Sequence, residues 1–157
     1  MKMFVKAVLC ATALTAAAAP AVAEDFAFKD QIEARQGYFQ MVKFNMGVLG
    51  EMAKGKRDYD ADLAQAIANN LKNAGAMDNS LMWPKGSDMD ADGLSGHTKA
   101  KADIWQADSE VGAKFEDFAA ATETMAANAG QGLDALRGAI GPLGKSCKSC
   151  HTDYRAK

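Results

Sequence analysis

The sequence predicts an all-α protein, an antiparallel up-down four-helix bundle. Three observations lead there. Apolar residues recur at helical spacing in four long segments, no segment alternates convincingly with a period of two, and the first two segments are joined by only a few residues.

The first helix is expected from about Phe28 to Ala53, with Gly55 as its stop. Ile32, Phe39, Val42, Met46 and Leu49 fall on one stripe, and Tyr38, Met41, Val48 and Met52 form a second apolar strip. A helix apolar on two sides has to bury both, one in its own bundle and the other against a second subunit. The second helix is expected from about Asp60 to Met77, with Leu63, Ile67, Leu71 and Ala74 inward. Gly, Asp, Ser and Pro then dominate from Asp78 to Thr98, which reads as a long loop punctuated by Trp83-Pro84. A third helix is expected from about Lys99 to Ala129, with Ile104, Val111, Phe115, Phe118, Thr122 and Met125 in near-heptad register. The fourth runs from about Leu133 to Tyr154 and turns Leu136, Ile140, Leu143, Cys147, Cys150 and Tyr154 inward. Pro142 removes one backbone hydrogen bond inside it, so a kink is expected between Gly138 and Pro142. Short connections make neighbouring helices antiparallel, and four such helices take a left-handed twist.

Ahead of these segments the chain reads as an export signal. Lys2 and Lys6 make a basic start, Ala7 to Ala19 a short apolar run, and Ala21-Val22-Ala23 a small-residue cleavage site, so residues 1–23 are expected to be removed and the mature chain to begin at Glu24. The apolar run is shorter than the roughly 20 residues a membrane-spanning helix needs. Cys10 follows Leu9 inside that run, where lipid attachment would want a small residue. A soluble periplasmic protein is the expectation.

Loss of 23 residues that hold two lysines and no acid takes the net charge from −2 to −4 and the length from 157 to 134. That length suits one domain, residues 24–157. Mild acidity, with no basic cluster beyond Lys54 to Arg57, gives no electrostatic case for binding nucleic acid. Small molecules or other proteins are the expected partners.

Cys147 and Cys150 are the only cysteines left after processing, and His151 follows directly. On a helix, residues three and four apart share a face, so both thiols and the imidazole project together. Two thiols can add to the two vinyl groups of a haem while the imidazole reaches its iron, so Cys147-Lys148-Ser149-Cys150-His151 reads as the attachment site of one covalent haem c, with His151 as axial iron ligand. Three other uses are weaker. A thioredoxin-like pair would want a βαβ context, a zinc site would need His97 as well, and a disulfide between residues one helical turn apart is geometrically poor.

Further markers lie along the chain: Ala34-Arg35-Gln36-Gly37-Tyr38-Phe39, Ala53-Lys54-Gly55-Lys56, Trp83, Ile104-Trp105, and Cys147 to Arg155. With them the sequence resembles cytochrome c′, the four-helix-bundle class of c-type cytochromes, over essentially the whole mature chain. The haem motif close to the C-terminus separates this class from the small cytochromes c, which carry it near the N-terminus. The resemblance implies haem c bound near the C-terminal helix, His151 as proximal ligand and Arg155 beside the proximal face. It also implies Arg35 and Gln36 at the haem edge and propionates, and Trp83 packed near the haem. Phe39 resembles the position facing the distal side of the iron, where low-spin relatives have a ligating methionine. Phenylalanine cannot ligate, so the resemblance implies a five-coordinate, high-spin ferrous iron with an open, apolar distal site. Such a site suits NO and CO better than O₂. Met41 and Met46 are nearby alternatives as a sixth ligand.

The functional expectation is therefore a periplasmic haem c protein that binds small gaseous ligands. A soluble electron-transfer cytochrome, passing single electrons between redox partners, is the alternative. No acid/base pair points to an enzyme, and the second strip of the first helix, with the resemblance, points to a homodimer. Asp88 to Gly93 opens like a calcium loop but is closed by Lys99 rather than glutamate, and His97 reads as a polar residue starting a helix.

Overall fold

The computed structural model describes residues 25–157, so the expected signal peptide, Cys10 and the start at Glu24 lie outside the described residues. Four helices make the bundle: α1 (Lys29–Ala53), α2 (Ala61–Ala76), α3 (Val111–Asn128) and α4 (Leu133–Tyr154). Among the described residues there are no strands, only two isolated bridges, Ser95 with Thr98 and Ala100 with Arg155.

Cross-helix pairs establish the direction of every neighbour. Tyr38 Oη donates to the Ala74 carbonyl while Asn45 meets Asn70, so α1 and α2 run antiparallel. Gln65 donates to the Ala126 carbonyl and Lys72 pairs with Glu123, which reverses α3 against α2. Arg137 reaches the Ala53 carbonyl whereas Phe39 meets His151, so α4 runs against α1. The bundle is up-down-up-down, as the short connections require.

α1 begins at Phe28, which takes the left-handed conformation at φ 58° and offers no side-chain cap. It ends where Gly55, at φ 69°, lets the chain leave the helix. Asp60 caps α2 by accepting from the Leu63 amide at 3.0 Å.

The buried face of α1 consists of Ile32, Arg35, Tyr38, Val42, Asn45, Leu49 and Met52, an unbroken series of three- and four-residue steps. The expected partition into two strips is corrected here. Tyr38 and Met52 belong to the core, whereas Phe39 is 36% exposed and Met46 half-buried. Two polar residues, Arg35 and Asn45, complete the stripe because each finds hydrogen-bond partners inside. On α2, Ala64, Ile67, Ala68, Leu71 and Ala74 face inward, and Leu63, expected among them, is exposed. Gly75 brings α2 onto α3, where a Cβ would strike Thr122 and stand 3.1 Å from the Ala119 Cα.

The third helix is shorter than its apolar spacing suggests, because residues 99–110 are not α-helical beyond a 3₁₀ turn at Ala102–Trp105. Tertiary backbone partners claim this stretch. Met89 N donates to Ala100 O at 2.8 Å, Lys101 N to Tyr154 O at 3.1 Å and Ala156 N to Lys99 O at 2.9 Å. The Glu110 amide, just ahead of α3, donates to Tyr154 Oη at 2.8 Å. The long loop therefore runs from Met77 to Glu110 and is tied to the C-terminal end of α4.

α4 continues without interruption through Pro142. The bond that proline cannot make would have ended on the Gly138 carbonyl, and both residues are exposed, so water can serve that oxygen.

Candidate haem site

The last two turns of α4 present Cys147, Cys150 and His151. Cys147 and Cys150 are free, half-buried thiols. Burial pushes both above the ordinary thiol range, and the imidazole of His151 is pushed down, by burial first and then by the charge of Arg155. A neutral imidazole is the form that ligates a metal.

Directly across from His151 lies Phe39 of α1, with ring centroids 6.5 Å apart and planes inclined by 70°. Trp83 packs edge-on to Phe39 at 6.2 Å and to Phe115 at 6.0 Å, and Trp105 lies 6.3 Å away. Trp105 Nε1 donates to the Trp83 carbonyl at 3.1 Å, which anchors that part of the loop. Four aromatic rings from α1, the loop and α3 therefore form one cluster, and Phe39 is the member that meets the imidazole of α4. Beside His151, Cys147, Lys148, Thr152 and Arg155 line a shallow groove of ≈480 Å³, within the range of small-ligand sites.

Arg35 is 3% exposed, although its residue type predicts a surface position. Its guanidinium donates to Ser87 Oγ at 2.7 Å, to Thr98 Oγ1 at 2.7 Å, to the Ser87 carbonyl, and to the Met82 carbonyl at 3.4 Å. It also sits over the Trp83 ring, 4.9 Å from the centroid. Desolvation pulls its pKa down, opposed by nearby Asp88. Gln36 is exposed and donates to the His97 carbonyl at 2.7 Å, and His97 in turn stacks on Phe26 at 3.9 Å. Arg155 is exposed and lies just past α4 in extended backbone bridged to Ala100.

The structure thus places Cys147, Cys150 and His151 on one helix, Phe39 against His151, Trp83 against Phe39 with Arg35 behind it, and Arg155 at the groove. Gln36 is engaged with the loop. Met41 is exposed on α1 and Met46 half-buried against the core. Sequence reasoning missed Ser87 and Thr98, which hold Arg35 from 52 and 63 residues away and leave no spacing signal. Phe115 reads as ordinary helix core, and only its aromatic character hinted at the wall it shares with Trp83.

This arrangement fits a covalently held haem: two thiols and a neutral imidazole on one helical face, opposed by flat apolar rings. It does not fit zinc, since no group of three His, Cys, Asp or Glu among the described residues is placed to hold a metal ion. Asp88 accepts from the Asp90 amide, a local turn. No helix among the described residues is long and apolar enough to cross a membrane.

Residues 30–155 match the family model for Cytochrome C′. The cytochrome c′ of Cereibacter sphaeroides is 41% identical over 150 residues, covering 96% of this chain and 97% of that protein. A solved cytochrome c′ from Rhodobacter spheriodes superposes with a TM-score of 0.78 at 39% identity, over 83% of this chain and 98% of its own. A nitric oxide complex of a cytochrome c′ mutant from Alcaligenes xylosoxidans gives a TM-score of 0.69 at 30% identity, over 85% of this chain and 100% of its own. A cytochrome c′ with ligand-controlled dimer dissociation gives 0.74 at 28% identity, again over 85% and 100%. Cytochromes c′ are themselves type examples of the up-down four-helix bundle. The chain belongs to the cytochrome c′ family, whose members bind haem c covalently.

Proposed function

We propose that the chain is a periplasmic, five-coordinate, high-spin haem c protein that takes up NO and CO at an open distal site. One observation carries this reading: the residue facing His151 is Phe39, which has neither a ligating atom nor a hydrogen-bond donor. In this reading Cys147 and Cys150 hold the macrocycle through thioethers, His151 is the axial ligand, and the open iron position supplies the chemistry of gas binding. Trp83 and Phe115 exclude water from the distal side. Arg155 lies close enough to His151 to bias its imidazole toward neutrality. The nitric oxide complex of the Alcaligenes xylosoxidans relative supports the choice of ligand.

The test is an absorption spectrum of the reduced protein followed by titration with CO and NO. A five-coordinate spectrum that changes with each gas is expected. A spectrum that neither gas alters would refute the proposal.

Export to the periplasm rests on the basic, apolar and small-residue pattern of residues 1–23. A homodimer is supported by α1, where Phe44 is 70% and Met41 39% exposed, and by the ligand-controlled dimer of a relative. Sedimentation should show a dimer at micromolar concentration, and a monomer throughout would contradict it.

Electron transfer is the second reading, favoured by the charge around α4. Lys145, Lys148, Arg155 and Lys157 fall within residues 145–157 of an acidic chain, and the one acid of that segment, Asp153, is paired with Lys114 at 3.2 Å. Such a segment would steer an acidic redox partner. Fast, saturable and salt-sensitive electron exchange with such a partner would favour this reading over gas binding.

A further inference from the structure

The guanidinium of Arg35 has five N–H donors in a planar fork. Four of them are directed at the loop: two on one nitrogen reach Ser87 Oγ and Met82 O, and two on the other reach Ser87 O and Thr98 Oγ1. Only Nε–H is left for a haem carboxylate, so a two-pronged clamp on a propionate is not available to this side chain as it stands.

The three residues it holds are Met82, Ser87 and Thr98, spread across a loop that contains no α-helix. Trp83 directly follows the first of them. Arg35 and Phe39 are one turn apart on α1, and the Trp83 ring lies against both, with the cation at 4.9 Å and the phenyl ring at 6.2 Å. Phe39 in turn faces His151. A continuous set of contacts therefore joins a buried cation to the ring that guards the distal face.

We propose that Arg35 is a positioning residue. It locks the loop through Ser87 and Thr98, so that Trp83 holds Phe39 over the iron, and it thereby sets how fast small ligands enter. This rests on the reading of Phe39 as the distal residue. A lysine at position 35 offers a single ammonium in place of the fork and cannot reach all four acceptors. With the loop loosened, Trp83 withdraws and Phe39 gains room to swing aside.

The experiment uses the reduced holoprotein and measures CO association by flash photolysis in the wild type, Arg35→Lys, Ser87→Ala and, as a control, Tyr59→Phe. Tyr59 joins Ala129 O to Gly132 N at the opposite end of the bundle, so its loss destabilises the fold without touching the loop. Arg35→Lys and Ser87→Ala should raise the association rate constant by about tenfold, the order expected from losing one charge-assisted hydrogen bond. Tyr59→Phe should leave it unchanged, and the spectrum before CO should stay five-coordinate in all four proteins. Ser87→Ala keeps the test open should Arg35→Lys fail to fold. Equal rates in every protein, a slower rate in the loop variants, or an equal rise in Tyr59→Phe overturns the proposal. A wild type that takes no CO overturns the gas-binding reading instead. The positioning role is then decided by hydrogen exchange at the loop amides of residues 82–98 in the same holoproteins: faster exchange in Arg35→Lys than in the wild type supports it, and equal exchange overturns it.

Discussion

Replacing Gly75 with alanine puts a methyl group at the closest approach of α2 to α3. The added carbon would overlap Thr122 Oγ1 and stand 3.1 Å from the Ala119 Cα. Neither neighbour yields cheaply, since Ala119 presents backbone and Thr122 is fully buried with its hydroxyl donating to the Ala119 carbonyl at 2.7 Å. Overpacking of this kind costs about 1 to 3 kcal/mol. Alanine recovers up to about 1 kcal/mol of helix propensity, less here because position 75 is in the last turn of α2. The net effect should be a destabilisation of about 1 to 2 kcal/mol, or a Tm lower by about 3 to 8 °C for a domain of this size. Thermal melts followed by far-UV circular dichroism, with urea unfolding alongside, would measure it. Removing the obstructing hydroxyl should relieve most of the strain. Gly75→Ala introduced into Thr122→Ala should therefore cost about 1 kcal/mol less than in the wild type. A Tm unchanged or raised by Gly75→Ala would show that α2 and α3 can separate without penalty and that the close approach is not a constraint.

Tyr59→Phe removes both hydrogen bonds that bridge Ala129 and Gly132 and should cost about 1 to 3 kcal/mol in urea unfolding, with no change in the absorption spectrum. Tyr38 is buried and donates to the Ala74 carbonyl at 3.0 Å, and its pKa is raised, by burial first. Its stabilising contribution is complete below the unfolded value of about 10 and is lost as pH rises through the higher folded value. Unfolding measured across that range should show an alkaline loss of stability that Tyr38→Phe diminishes; equal pH dependence in both proteins would count against it. Phe39→Met places a thioether opposite His151 and should convert the reduced spectrum to six-coordinate, with CO binding slowed. An unchanged five-coordinate spectrum would mean that position 39 does not face the iron.

Much of the architecture was legible because it depends on local periodicity. α2 and α4 lie within a residue of their expected bounds, since apolar spacing is a local signal. The haem motif was legible for a related reason, as i, i+3, i+4 spacing alone puts two thiols and an imidazole on one face. Residues 99–110 misled because their apolar spacing continues that of α3, while their backbone partners come from residues 89, 154 and 156. Phe39 and Tyr38 are adjacent in sequence, and periodicity alone could not decide which of the two enters the core. The structure buries Tyr38, whose hydroxyl finds a carbonyl on α2, and sets Phe39 against His151.

Arg35 marks the boundary most clearly. Residue type predicts a solvated cation, and resemblance predicts one at the haem edge. Its burial depends on acceptors supplied by Ser87, Thr98 and Met82 and on the face of Trp83. A buried charge is tolerated only when enough partners converge on it, and convergence is a property of three dimensions. The sequence by itself determined three of the four helices and the covalent cofactor, because each follows from spacing within a single helix. The meeting of Phe39 with His151 and the burial of Arg35 under the loop were decided by tertiary structure, since both are built where α1, the long loop and α4 meet.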